Sequence, residues 1–276
     1  MKITALVENT SALPGVAGEW GLSLWIETNR HRILFDTGQG PSLVKNAHTL
    51  GVHLSTAQAM VISHGHYDHI GGVANAFAAG FRGSVYLHPA GLKPKYKKNA
   101  TERPEPIGPQ QTALHALRAR GENVIYTPEP TRLAPDLLIT GTVPRTNPLE
   151  TTPSNFFLGE DCTILDPLID DQALLIETGR GWALFTGCGH SGVINLLHYA
   201  KELTGGGRIC AVIGGFHLQE APEARLQATA AALLEFDVEL VAPCHCTDSA
   251  AIAWLQKALG QRVITLHAGQ TLLVCP

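Results

Sequence analysis

Ser63-His64-Gly65-His66-Tyr67-Asp68-His69 sets three imidazoles and a carboxylate side by side, directly after the apolar run 59–63. Such a run, bounded by turn residues, reads as a short buried strand. The ligand-type residues therefore begin where a strand ends. Imidazole and carboxylate bind zinc, manganese or iron. Positions 64, 66, 68 and 69 cannot all face one ion from a regular helix or strand. A turn can send His64 and His66 one way and Asp68 and His69 the other, which is the geometry for two adjacent metal ions.

Outward from this turn, the first part of the chain alternates short apolar runs (3–7, 22–27, 32–35, 84–87) with helical spacings at 42–50 and 71–79. The second part repeats the style. Runs 173–177 and 182–186 flank Gly179-Arg180-Gly181 as a hairpin. Residues 193–203, 223–236 and 249–259 are helical, and 209–213, 239–242, 262–265 and 271–274 read as strands. No short repeat and no linker interrupts this order, so the reading is two α/β halves in one body, a single domain over 1–276. Asp248 is placed to cap the helix at 249–259.

Between Pro89 and Pro109 the periodicity breaks. Prolines 89, 94, 104, 106 and 109 and the cations Lys93, Lys95, Lys97, Lys98 and Arg103 fall there. Long irregular segments in compact folds are often lids or binding loops. The expectation is a basic, lid-like loop at 89–109, with Lys93, Lys95, Lys97 and Lys98 gripping a phosphate-bearing small molecule and His88 contacting it from the loop's base.

Apolar residues make up 45% of the 276 and charged residues 16%, a globular balance that excludes wholesale disorder. A formal net charge of −4 argues against a nucleic-acid footprint spread over the surface. No run approaches a membrane span, and MKITALVENT lacks a signal-peptide core. The six cysteines, Cys162, Cys188, Cys210, Cys244, Cys246 and Cys275, accordingly read as reduced thiols of a cytoplasmic protein. Composition leaves the oligomeric state open. Of the thirteen histidines, His31, His48, His53, His115, His198 and His267 sit on helices or loop edges, where solvated or capping roles are the default. His217 follows Gly214-Gly215-Phe216 at a strand end, and the two glycines allow close approach of the backbone to a ligand.

His-x-His-x-Asp-His resembles the signature of the metallo-β-lactamase superfamily. In the same order come Glu8-Asn9-Thr10, Gly21-Leu22-Ser23, Leu34-Phe35-Asp36-Thr37-Gly38, Gly187-Cys188-Gly189-His190-Ser191-Gly192, Gly214-Gly215-Phe216-His217-Leu218 and Pro243-Cys244-His245-Cys246-Thr247. Together they resemble a branch whose members are named 7,8-dihydropterin-6-yl-methyl-4-(β-D-ribofuranosyl)aminobenzene 5′-phosphate synthase or simply metal-dependent hydrolase. The resemblance runs over nearly the whole chain. It implies a four-layer αββα sandwich of two mixed sheets, with helices on the outer faces and two divalent metal ions at one edge. Zinc is the first expectation, with manganese and iron as alternatives.

The resemblance also distributes the residues. His64 and His66 would hold the first metal, and Asp68, His69 and His245 the second. The family's mid-chain histidine and its bridging aspartate are both missing here. His190 is the simplest replacement for the first, and Cys188 stands where the second belongs, as a thiolate ligand or a bystander. Asp36 would orient a metal-binding histidine from behind. His217 matches a residue that contacts phosphate or protonates the leaving group in phosphodiesterases of the superfamily, such as ribonuclease Z. Trp20 stands where the family commonly has histidine. The implied activity is hydrolysis of a small phosphorylated or ester substrate through a metal-activated hydroxide, with Asp68 and His217 as catalytic residues. An alternative is a transferase joining a pterin-methyl diphosphate to a ribosylated aminobenzene phosphate with release of pyrophosphate. A further alternative, kept open by the nearby cysteines, is an iron-binding redox or sensor protein.

Overall fold

The computed structural model describes residues 1–99 and 103–274. Cys275 and the stretch 100–102 of the basic segment lie outside the described residues. In chain order the elements are β1 (Lys2–Val7), β2 (Ser23–Glu27), β3 (Arg32–Phe35), α1 (Pro41–Thr49), β4 (Ala59–Val61), α2 (Tyr67–Ile70), α3 (Val73–Ala78) and β5 (Ser84–Leu87). There follow β6 (Tyr96–Lys97), β7 (Glu105–Pro106), α4 (Gln111–Arg120), β8 (Val124–Tyr126), β9 (Thr131–Ala134), β10 (Leu137–Ile139) and β11 (Phe156–Phe157). The remainder is β12 (Leu174–Thr178), β13 (Gly181–Thr186), α5 (Val193–Leu203), β14 (Ile209–Gly215), α6 (Glu223–Glu235), β15 (Leu240–Cys244), α7 (Ser249–Leu259) and β16 (Thr271–Leu273).

Two mixed sheets carry the architecture. The first orders β16-β1-β2-β3-β4-β5-β8, antiparallel as far as β3 and parallel beyond it. The second orders β15-β14-β13-β12-β10-β9, with β13, β14 and β15 parallel. Strand alternation assigns the faces. Leu24, Ile26, Ile33 and Phe35 of the first sheet meet Leu174, Ile176, Ala183 and Phe185 of the second in one buried cluster. The residues between them point outward: Trp25 and Leu34 pack against Leu43, Ala47, Val73, Ala76 and Leu117 of α1, α3 and α4. Leu175, Trp182 and Leu184 pack against α5, α6 and α7. Strands covered on both faces need unbroken apolar runs, which is why β12 to β14 read so clearly in the sequence. The result is the four-layer αββα sandwich.

Three expectations are corrected. The described residues of 89–109 are not all irregular: they hold a turn of 3₁₀ helix at Pro89–Leu92 and the strands β6 and β7, β6 pairing with both β7 and β11 in a small third sheet. The helix expected at 71–79 is present but shorter: α3 runs Val73–Ala78, and Gly71 and Gly72 separate it from α2, which closes at Ile70. A side chain at either glycine would collide with backbone, at Tyr67 O and Thr37 O respectively. The run 262–265 is no strand; it follows a 3₁₀ turn at Gly260–Arg262 and touches β15 only through a bridge between Val263 and Val241. Asp248 does cap α7, its carboxylate accepting from Ala251 N at 2.8 Å.

Candidate metal centre

All the elements that matter end at one edge of the two sheets. Strand β3 delivers Asp36, β4 leads into Ser63 to His69, β13 into Gly187 to His190, β14 into Gly215 to His217, and β15 into Cys244 to Cys246. Four overlapping groups of possible ligand atoms result, each within 4.8 Å: His64, His66 and His190; Asp68, His69 and His245; His64, His69 and Cys188; and Cys188, His245 and Cys246. All of these side chains are buried.

Hydrogen bonds behind the rings fix which nitrogen looks inward. Asp36 Oδ2 accepts from His69 Nδ1 at 2.7 Å and from Ser63 Oγ at 2.7 Å, while Asp36 Oδ1 accepts from Ser63 N. With its proton given to Asp36, Ser63 Oγ can only accept from His64 Nδ1, at 3.0 Å. Asn9 Oδ1 accepts from His245 Nδ1 at 3.0 Å, and Glu8 Oε1 accepts from His245 N. His64, His69 and His245 are thereby each set to present an Nε2 lone pair, the tautomer that metal binding requires. Gly187 leaves room for this arrangement, because a Cβ there would run into Ser63 Oγ.

The inward nitrogens then crowd one another. His69 Nε2 lies 3.1 Å from His245 Nε2 and 3.2 Å from Cys188 Sγ. His66 Nδ1 lies 3.0 Å from His64 Nε2 and 3.3 Å from His190 Nε2. Tetrahedral zinc with Zn–N of 2.0–2.1 Å separates its nitrogens by about 3.3 Å. The crowding therefore suits cations seated between the rings.

Electrostatics point the same way. Burial, with repulsion from neighbouring imidazoles, pushes His64 and His190 well below the ordinary histidine range, and burial brings His66 to about 3. These rings are neutral near pH 7 and free to ligate. Burial would also lower His69, but Asp68 and Asp36 outweigh it and raise the ring to about 9. Burial would raise Asp68, yet His69 and His245 hold its carboxyl below the usual carboxylate range. Neutral imidazoles beside ionised carboxylates are a donor set that suits a bound cation.

The centre opens into a pocket of about 290 Å³ with walls that include Trp20, Tyr67, Lys97, Phe156, His217 and Gln219. Trp20 is 45% exposed, and its ring lies 5.1 Å from that of His245. His217 takes a left-handed backbone, φ 47°, and its ring lies 4.4 Å from His190. Its buried Nδ1 has no hydrogen-bond partner.

The basic segment behaves differently from expectation. Of its lysines, Lys97 lines this pocket, and Lys93 and Lys98 are exposed. Lys95 is buried and bonded to Asp166 Oδ2 at 2.7 Å and Asp170 Oδ1 at 2.8 Å, so its ammonium faces two carboxylates and not the pocket. His88 is also turned away: its Nδ1 accepts from Ala90 N, and its Nε2 meets Thr142 Oγ1. Glu8, Asn9, Ser63, Asp170 and Asp171 are anchoring residues that sequence reasoning left without a role. Glu8-Asn9 and Ser63 lay inside stretches already singled out. Asp170-Asp171, two acids abutting an apolar strand, was the one further signal.

A four-layer sandwich with imidazole, carboxylate and thiol donors gathered at its strand ends defines the class of metal-dependent hydrolase folds. The family model of the metallo-β-lactamase superfamily matches residues 21–153. A protein of Methanocaldococcus jannaschii described as uncharacterized is 31% identical over 256 residues, spanning 92% of this chain and 94% of its own. The 7,8-dihydropterin-6-methyl-4-(β-D-ribofuranosyl)-aminobenzene-5′-phosphate synthase of the same organism is 26% identical over 262 residues, 91% of this chain and 88% of its own. The crystal structure of a metal-dependent hydrolase of the β-lactamase superfamily aligns over 100% of both chains with a TM-score of 0.84 and 28% identity. The chain belongs to the metallo-β-lactamase superfamily.

Proposed function

We propose that this protein is a metal-dependent hydrolase of a small phosphorylated or ester substrate. The observation that carries the reading is the pair of ligand clusters, His64/His66/His190 and Asp68/His69/His245, opening into one pocket beside His217. Cys188, 3.2 Å from His69 Nε2 and grouped with His64 and His69, would be a further ligand through its thiolate once a cation offsets the burial that keeps its thiol protonated. Divalent ions held there, zinc first among them, would supply a water made nucleophilic near neutral pH and polarise the bond it attacks. Asp68 accepts a hydrogen bond from the attacking water and so aims it. His217 gives a proton to the departing oxygen, a role its position on the pocket wall permits. Lys97 receives an anionic oxygen of the substrate, and Trp20 and Phe156 exclude water from its apolar part.

A second reading is favoured by the synthase relative and by the aromatic walls Trp20, Tyr67 and Phe156, which suit a flat ring. In it the same centre draws pyrophosphate from a pterin-methyl diphosphate while a ribosylated aminobenzene phosphate attacks the methylene carbon.

Turnover of bis-p-nitrophenyl phosphate by the metal-loaded protein separates the two. Hydrolysis is expected, abolished in His66→Ala and lowered about 10²–10⁴-fold in His217→Ala with metal content unchanged. Pyrophosphate release only when both a pterin diphosphate and the amine acceptor are present would transfer the assignment to the second reading. Full turnover in His66→Ala would overturn both.

A further inference from the structure

Asp170 and Asp171 do not line the pocket, and their hydrogen bonds beside the ligand residues go to backbone N–H groups, yet both are buried carboxylates. Asp170 Oδ2 accepts from Gly65 N at 2.8 Å, the one residue between His64 and His66. Its other oxygen takes Lys95, which Asp166 shares. Asp171 Oδ2 accepts from Ser191 N at 2.7 Å, the residue after His190. Gln172 continues the line: its N–H donates to Ser63 O and its side-chain amide to Ile62 O. Three consecutive residues thus hold the backbone of both turns that supply the three-imidazole cluster. From the other side, Gly65 packs so closely on Gly91 that no Cβ fits between them. Arg145 donates to His190 O, adding a second tie on that turn.

The Asp68/His69/His245 cluster has its own anchors. Asp36 holds the His69 ring, and Glu8 and Asn9 hold His245. Asp36 reaches both clusters, since it also fixes Ser63, whose Oγ accepts from His64 Nδ1, whereas the backbone N–H groups that Asp170 and Asp171 hold flank only His64, His66 and His190.

We propose that Asp170-Asp171 is the positioning element of the first metal site, setting the mutual geometry of His64, His66 and His190 through backbone N–H groups, independently of the second site. The inference rests on the metal-centre reading above. Lys95 serves it by neutralising Asp170 inside the protein, where an unpaired carboxylate would protonate and cease to be a strong acceptor.

The test is zinc binding by the purified full chain, measured by competition with a chromophoric chelator, for wild type, Asp170→Asn and Asp171→Asn. The wild type is expected to bind two equivalents. In each variant the affinity of one equivalent should fall about 10–100-fold, the size of effect outer carboxylates have on metal sites, with the other within about threefold. His66→Ala removes the first site, and adding Asp170→Asn to it should change the remaining equivalent no further, as independent sites require. Thermal melts of the metal-free proteins identify a variant that fails to fold, and the other position then decides. Unchanged affinities in both variants, or an equal loss in the His66→Ala background, would overturn the proposal and leave the metal centre standing. A wild type that binds no zinc would instead overturn the metal-centre reading itself.

Discussion

His69 and His66 sit in the same turn and are driven in opposite directions. His66 is stripped of water, which Asp68 and Asp170 offset only in part, and is held near 3 against 6.5 for a free ring. His69 is equally buried but lies between Asp36 and Asp68, and is held near 9. The metal-free protein converts these shifts into a pH dependence. Between 6.5 and 3 the unfolded chain binds the extra proton at His66, so the stability present above pH 6.5 is lost as pH falls; His64 and His190 act in the same sense. At His69 the folded state holds the proton, so its contribution is complete below 6.5 and is lost as pH rises through 9. Urea midpoints of the metal-free protein should therefore be higher near pH 7 than at pH 5 or pH 9.5. His69→Gln should flatten the alkaline side and leave the acid side. An alkaline limb identical in wild type and His69→Gln would contradict this account of the centre's charge.

The three-stranded sheet of β6, β7 and β11 shows how far an element can depart from what its composition suggests. Prolines and lysines at 89–109 describe a solvated loop, because local spacing carries no information about Asp166 and Asp170, which lie some seventy residues further on and draw Lys95 inside. Lys95 and Lys97 are separated by one residue, which along one strand would put them on the same face; β6 begins only at Tyr96, and Lys95, just before it, turns inward to Asp166 and Asp170 while Lys97 lines the pocket. Their substitution should split cleanly. Lys95→Met leaves two buried acids without a cation and is expected to lower the unfolding free energy by about 3–5 kcal/mol. Lys97→Met should leave the melting temperature in place and raise KM for a phosphate ester severalfold. Raised KM with unchanged stability in Lys95→Met would restore the gripping role to that lysine. Elsewhere the elements were legible where two-sided burial forces a continuous apolar run, as in β12, β13 and β14. They were not where strands are short and half exposed, as in β8 and β9, or where pairing with a distant strand makes the element, as in β6 with β11. The ligand turn at 64–69 was legible because its donors are consecutive. Its anchors at Asp170 and Asp171 were not, since they act on backbone N–H groups that no sequence pattern displays.

On the scale of the whole molecule, the centre lies on the seam between the two halves. The first sheet contributes His64, His66, Asp68 and His69, and the second contributes Cys188, His190, His217 and His245. Neither of the two clusters that carry the proposed function lies in one half: His190 must meet His64 and His66, and His245 must meet Asp68 and His69. The sandwich core of Phe35, Phe185 and their neighbours fixes the distance between sheets, and so fixes whether these donors converge. The central claim is that they converge on two cations. Anomalous difference maps from crystals of the zinc-loaded protein, collected above and below the zinc edge, test it directly. Two peaks are expected, one among His64, His66 and His190 and one among Asp68, His69 and His245, with Cys188 Sγ adjacent to the second. An empty centre, or peaks only elsewhere on the surface, would contradict the account.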